Sequence, residues 1–193
     1  MVFGRRFALC LSFAAVSTSA TAQLPRVVLV TDAGEIELEI DSVRAPRTAA
    51  NFLRYVDERF YDGGRFHRTV RADNQPNDSI RIAVIQASRN PDRSRQGYPP
   101  IALERTSETG VRHVDGAVSM ARGGPDTATS SFFICVGDQP SLDFGGRRNP
   151  DGQGFAAFGR VARGMDVVRA IQSGAAVGQN LTTPVAINSA RRR

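Results

Sequence analysis

The sequence predicts one mainly β domain, a barrel or sandwich of about eight short strands with two helices covering its ends. Three observations carry this. Glu35–Ile40 alternates charged and apolar residues with period two, the mark of a half-buried strand. Further short apolar runs recur between glycine-rich or polar connections, a spacing that suits sheets. Finally, only two stretches fit helices, and no linker, repeat or shift in composition divides the 193 residues.

The elements follow in order. Val27-Val28-Leu29-Val30 is a β-branched run that ends at the turn signal Asp32-Ala33-Gly34, so it pairs with Glu35–Ile40 as a hairpin. In the second strand Ile36, Leu38 and Ile40 share the inner face. The three glutamates are expected on a solvated outer face rather than as a catalytic pair. Pro46 suits a first helical turn, and Ala49, Phe52, Leu53 and Val56 then fall at i, i+3, i+4 and i+7, a helix running to about Glu58. Apolar runs at Phe66–Val70, Ile82–Gln86, Ala117–Ala121, Ser131–Val136 and Phe155–Gly159 supply five more strands. A short helix fits Gly164–Gln172, and Val185–Ile187 closes the set.

Charge narrows the function. The net charge is +6, and all 25 basic residues are arginines. Without lysine there is no Schiff base, no lysine general base and no P-loop. Two histidines and two cysteines are too few for most zinc sites. Arg5 and Arg6 belong to a leader, and Arg191, Arg192 and Arg193 read as a solvated terminal tail. Removing these five from +6 leaves +1, which argues against a nucleic-acid partner. Residues 1–22 have the form of a signal peptide: Arg5-Arg6, an apolar stretch from Phe7 to Ala15 too short to span a bilayer, then the small-x-small motif Ala20-Thr21-Ala22. Cleavage leaves a single domain of residues 23–193 with no stable membrane insertion, and Cys135 as its one cysteine, read as an inert apolar group. The expected location is the periplasm. The paired arginines leave Sec and twin-arginine export both open.

Phe66-His67-Arg68, Ser119-Met120-Ala121, Ser131-Phe132-Phe133-Ile134, Leu142-Asp143, Phe155–Val161 and Gly164–Val168 follow one another in a set order. Ala45-Pro46-Arg47-Thr48, Asn51-Phe52 and Phe60–Gly63 extend the series upstream. From about Val27 to Ile187 the chain resembles the cyclophilin family of peptidyl-prolyl cis-trans isomerases. The resemblance implies a closed eight-stranded antiparallel barrel capped by two helices, acting on X–Pro bonds of unfolded or exposed segments as a monomer. It also implies chemistry that needs no cofactor and no metal. Arg68 is the implied catalytic residue. Phe133 and Leu142 are implied walls of the proline pocket, and Ala121, Arg122, Gln86, Val84, Ser131 and Phe155 its other substrate contacts. Strand alternation sends Ser131, Phe133 and Cys135 to one face and Phe132 and Ile134 to the core. On a regular strand His67 faces away from Arg68 as a structural histidine. A hydrolase built from Ser131, His67 and an aspartate lacks a nucleophile elbow.

The chain also departs from the family. A longer polar segment, Arg71–Ser79, separates Arg68 from Ile82–Gln86. Ala83 stands where a phenylalanine walls the pocket, Ala87-Ser88 replace a glycine pair, Ser131 replaces a glutamine, and Ser141 lies near the site of a tryptophan. Lost pocket area and one lost hydrogen bond would cost about 1–3 kcal/mol of substrate binding. Two functions therefore compete: an exported prolyl isomerase that assists folding, and a peptide-binding or chaperone-like module with an eroded pocket.

Overall fold

A computed structural model describes Met1 and residues 23–193, so the leader expected over residues 1–22 lies outside the described residues. The strands are β1 (Arg26–Thr31), β2 (Gly34–Ile40), β3 (Gly64–Val70), β4 (Val84–Ser88), β5 (Ala117–Met120), β6 (Phe132–Cys135), β7 (Ala157–Arg163), β8 (Ala176–Val177) and β9 (Asn180–Arg192). The helices are α1 (Pro46–Asp57), the single turn α2 (Thr106–Thr109) and α3 (Met165–Gln172). All pairings are antiparallel, in the order β1-β2-β7-β5-β6-β4-β3-β9, and β9 pairs back onto β1. That closes an eight-stranded barrel and leaves β8 as a hairpin arm on β9.

Local chemistry explains the elements that place the site. The β1–β2 turn is held by Thr31, whose hydroxyl donates to the Gly34 carbonyl at 2.6 Å and accepts from Ala33 N–H at 3.2 Å. Gly34 has φ of 129°, and a Cβ there would meet Val167 of α3 at 2.9 Å, so glycine is needed twice over. Pro46 opens α1, but no neighbouring side chain caps it. The carboxylate of Glu104 reaches in from 56 residues away and accepts from Thr48 N–H at 2.7 Å and from Arg47 N–H at 3.1 Å. The inner face of α1, with Phe52 and Val56, is buried. Phe52 meets Phe132 edge-on at 5.4 Å and Phe158 at 5.0 Å, plugging the barrel with aromatic contacts.

Two apolar clusters result. One fills the barrel, with Leu29, Ile36, Leu38, Phe66, Phe132, Ile134 and Phe158 among its members. The other packs on the outside of the sheet and contains Val70, Val84, Phe133, Cys135 and Leu142. Alternation along β6 divides Phe132 and Ile134 from Phe133 and Cys135, as the sequence predicts.

Four expectations need correction. The glutamate face of β2 is solvated only at Glu35: Glu37 is 4% exposed and ion-paired to Arg26 at 2.7 Å, to Arg193 at 3.1 Å and to Arg163. Glu39 is held likewise by Arg26 and Arg160. Arg191–Arg193 is not a loose tail, because β9 continues through Arg192 and its register puts Arg191 opposite Val28 and Arg192 opposite Val27. Arg191 clasps Asp62 through two contacts of 2.7 Å. The closing strand is thus far longer than Val185–Ile187, and it tolerates Pro184 because its register against β3 shifts between Val185 and Asn180. Lastly, β4 starts at Val84 and β7 at Ala157, which leaves Ile82 and Phe155 outside the strands.

Candidate functional site

The site is a row of cross-strand partners on the outer face of the barrel. Arg68 of β3 lies opposite Gln86 of β4, Gln86 opposite Phe133 of β6, and Phe133 opposite Ser119 of β5. Directly paired residues present their side chains on one face, so four sequence-distant residues converge without any loop to carry them. The row depends on a bulge. Phe66 pairs with Ala87 and Arg68 with Gln86, so His67 is the extra residue on β3. The regular strand assumed for His67 is therefore absent. His67 sits half-buried with Nδ1 3.5 Å from the Ser88 hydroxyl, and burial lowers its pKa.

Amide oxygens hold the Arg68 guanidinium. Gln86 Oε1 accepts from Nη1 at 2.8 Å, and Gln179 Oε1 accepts from Nε at 3.0 Å and from Nη2. Gln179 is itself anchored, its carbonyl accepting from Thr69 N–H at 2.9 Å. Burial lowers the Arg68 pKa, and the nearby Arg148 charge adds to the effect, yet an arginine stays protonated at neutral pH. Among the described residues, no carboxylate is hydrogen-bonded to this cation.

A cleft of about 250 Å³ opens beside this cation. Phe133, Leu142, Val84 and Phe155 make its apolar side, with Phe155 standing edge-on to Phe133 at 5.3 Å and 89°. Arg68, Gln86, Ala121 and Arg122 complete the set expected from the sequence. Ser131 is the exception: it lies outside the lining, and its carbonyl accepts from Ala121 N–H at 2.9 Å. Three further residues line the cleft: Ile82, Arg148 and Asn149. Ile82, which follows the inserted segment, stands beside Val84 in the lining and supplies an apolar wall that the short Ala83 does not. A larger cleft of about 460 Å³ opens between Arg44, Val111, Val114 and Arg160, but among the described residues no aromatic side chain lines it.

Behind the cleft lies a buried relay that sequence reasoning missed. Asp143 Oδ1 is 2.7 Å from His113 Nδ1, and His113 Nε2 is 2.9 Å from the Ser119 hydroxyl. The order resembles a hydrolytic triad, but Ser119 is fully buried and His113 is 1% exposed, so no substrate reaches the hydroxyl. The relay braces the pocket instead. The His113 ring stacks on Phe133 at 6.0 Å and 16°, and Asp143 directly follows Leu142. Burial disfavours a charged Asp143, but the hydrogen bonds from His113 outweigh it and hold the carboxyl below its ordinary range. Cys135 is fully buried, and burial pushes its thiol well above the usual range. Among the described residues, no group of three His, Cys, Asp or Glu side chains is placed to hold a metal ion.

Nothing in the sequence marks Gln179, Arg148 or His113, since each is defined by a partner far along the chain. The only signal was indirect: the polar insertion before Ile82 and the glycine-rich Gly145–Gly154 stretch had to go somewhere, and both border the cleft.

Comparison with known proteins covers the barrel and the cleft together. A family model described as cyclophilin type peptidyl-prolyl cis-trans isomerase/CLD matches residues 26–192. Peptidyl-prolyl cis-trans isomerase A of Dickeya dadantii is 38% identical over 142 residues, covering 73% of this chain and 67% of that protein. The cyp18 isomerase of Streptomyces antibioticus is 36% identical over 171 residues, covering 86% and 96%. A crystal structure of a Cryptosporidium parvum cyclophilin type isomerase superposes with a TM-score of 0.71 at 18% identity, covering 88% of this chain and 98% of that one. A second structure of it, in the presence of the dipeptide Ala-Pro, gives a TM-score of 0.70.

Proposed function

The chain belongs to the cyclophilin-type peptidyl-prolyl cis-trans isomerases, and from that premise we propose that it accelerates rotation about X–Pro bonds of exported polypeptides, with Arg68 as the catalytic residue. The barrier to that rotation, about 20 kcal/mol, comes from amide resonance. No covalent bond breaks, so the protein has only to favour the twisted amide. When the bond twists, the prolyl nitrogen recovers its lone pair and becomes a hydrogen-bond acceptor. A preorganised cation aimed at that nitrogen stabilises the twisted form more than either planar isomer.

The observation that carries this reading is Arg68, held between Gln86 and Gln179 at the edge of an apolar cleft. Phe133, Leu142 and Phe155 offer the proline ring an apolar seat, while Ala121, Arg122 and Gln86 flank the peptide. Ile82 replaces the wall that Ala83 lacks, which removes the main motive for a peptide-binding module with an eroded pocket. The leader over residues 1–22 supports a periplasmic role in folding secreted proteins, with Gln23 as the first mature residue.

The test compares wild type and Arg68→Ala in a cis–trans assay on an Ala-Pro peptide. Loss of the cation should lower kcat/KM by about a hundredfold or more. Equal rates would remove Arg68 from the catalytic role. N-terminal sequencing of the protein recovered from the periplasm should begin at Gln23; an intact leader in the cytoplasm overturns the export assignment.

A further inference from the structure

Among the described residues, three guanidinium groups line the cleft, those of Arg68, Arg122 and Arg148, and no carboxylate does. Their partners differ. Arg122 is 1% exposed at its side chain and spent on Asp151 and on the Gly154 carbonyl. Among the described residues, Arg68 is held by glutamine oxygens alone. Arg148 contributes one nitrogen, Nη1, to the Ile80 carbonyl at 2.7 Å and to Asp78 at 3.1 Å. Its Nε–H and Nη2 donors have no protein partner among the described residues, and a guanidinium carries five N–H groups in all. Asp78 is 41% exposed, so its counter-charge is partly screened by water. Arg148 and Arg68 line the same cleft, which places both charges within reach of one bound peptide, while the Asp78 carboxylate acts on Arg68 from outside the lining.

Asn149, the next residue, adds an independent observation. It lines the cleft, and its Nδ2 is buried with no hydrogen-bond partner. A buried donor left unpaired is costly unless a ligand supplies the acceptor. The cleft therefore combines spare guanidinium donors, an orphan amide donor and net positive charge around an apolar seat.

We propose that this cleft selects proline segments that carry an acidic side chain beside the proline, and that Arg148 confers the selectivity. The proposal rests on the isomerase reading and adds its substrate class. A carboxylate next to the proline gains a charge-assisted hydrogen bond at Arg148, whereas a lysine there meets two cations with no carboxylate lining the cleft. Arg148 also carries the wall with it. By gripping the Ile80 carbonyl it ties the 143–154 loop to the stretch that leads from the inserted segment into Ile82, so the residue that reads charge also sets the position of an apolar contact.

The experiment measures kcat/KM on two peptide series, one varying the residue before proline and one the residue after it, each through Glu, Gln and Lys. Glu should exceed Gln by about threefold to tenfold in at least one series, with Lys below Gln. The preference should shrink as salt rises from about 0.05 to about 0.5 M. Arg148→Gln should bring the Glu-to-Gln ratio close to one, and Arg148→Lys should restore part of it. The wild-type ratio and its salt dependence stand even if a variant folds poorly. Equal rates for Glu and Gln in both series overturn the proposal, as does a preference that survives Arg148→Gln. Failure to turn over any peptide would instead overturn the isomerase reading itself.

Discussion

Gln179 lies 111 residues from Arg68 in sequence, yet its Oε1 accepts from both Nε and Nη2 of the guanidinium. Truncation to alanine removes that grip and leaves the backbone in place, because the anchor to Thr69 uses the Gln179 carbonyl. A hydrogen bond to a charged group contributes about 1.5–3 kcal/mol when buried. Arg68 is only partly buried, so water recovers some of this, and about 1–2 kcal/mol of transition-state stabilisation should be lost. That corresponds to roughly a fivefold to thirtyfold fall in kcat/KM. The loss should sit in kcat, with KM little changed, because Gln179 does not line the cleft and acts through the orientation of Arg68. The assay is isomerisation of an Ala-Pro peptide, with thermal unfolding as a control; Tm should stay within about 2 °C of wild type. Wild-type kcat in a folded Gln179→Ala protein would refute the reasoning, since Arg68 would then be positioned by something else. A rise in KM alone would refute it as well.

Two further expectations concern the arginine-clad face. Hydrogen bonds from Arg163 and Arg26, with Arg193 nearby, hold the Glu37 pKa down to about 2 against an ordinary value of 4.5. Because the folded value is depressed, the stabilisation is fully present above the unfolded value and is lost as pH falls from about 4.5 through about 2. The Tm gap between wild type and Glu37→Gln should therefore narrow over that range, and a gap unchanged down to pH of about 2 would contradict the pairing. Deleting Arg191–Arg193 should cost about 1–3 kcal/mol, from the lost β1–β9 pairing and the Asp62 clasp. In a chain of this size that is a fall of about 3–10 °C in Tm, whereas a solvated tail would leave Tm unmoved.

Much of this protein was legible because its signals are local. Alternation in β2 placed Ile36, Leu38 and Ile40 inward, and the i, i+3, i+4, i+7 set in α1 placed Phe52 and Val56 in the core. The order of short motifs led to Arg68, Gln86, Phe133 and Leu142, which the structure gathers around one cleft. Ser131 precedes β6 and does not line the cleft, so the strand alternation that carries Phe133 there does not extend to it. Glu37 and Glu39 depart from expectation for another reason. Alternation says which face a side chain takes, but not that Arg26, Arg163 and Arg193 will cover that face.

The sequence by itself determined a mainly β domain, the inward faces of β2 and α1 and, through the family resemblance its motif order carries, the closed barrel and the choice of Arg68, because hydrophobic period, turn residues and motif order are properties of neighbouring positions. Only the tertiary structure decided how that cation is held, what walls the pocket and how charged its rim is. Gln179, Ile82, Arg148 and the His113 relay act through partners that barrel closure and loop packing bring to them. A contact between residues 111 positions apart leaves no periodic trace in the chain, so it exists only once the last strand has paired with β3.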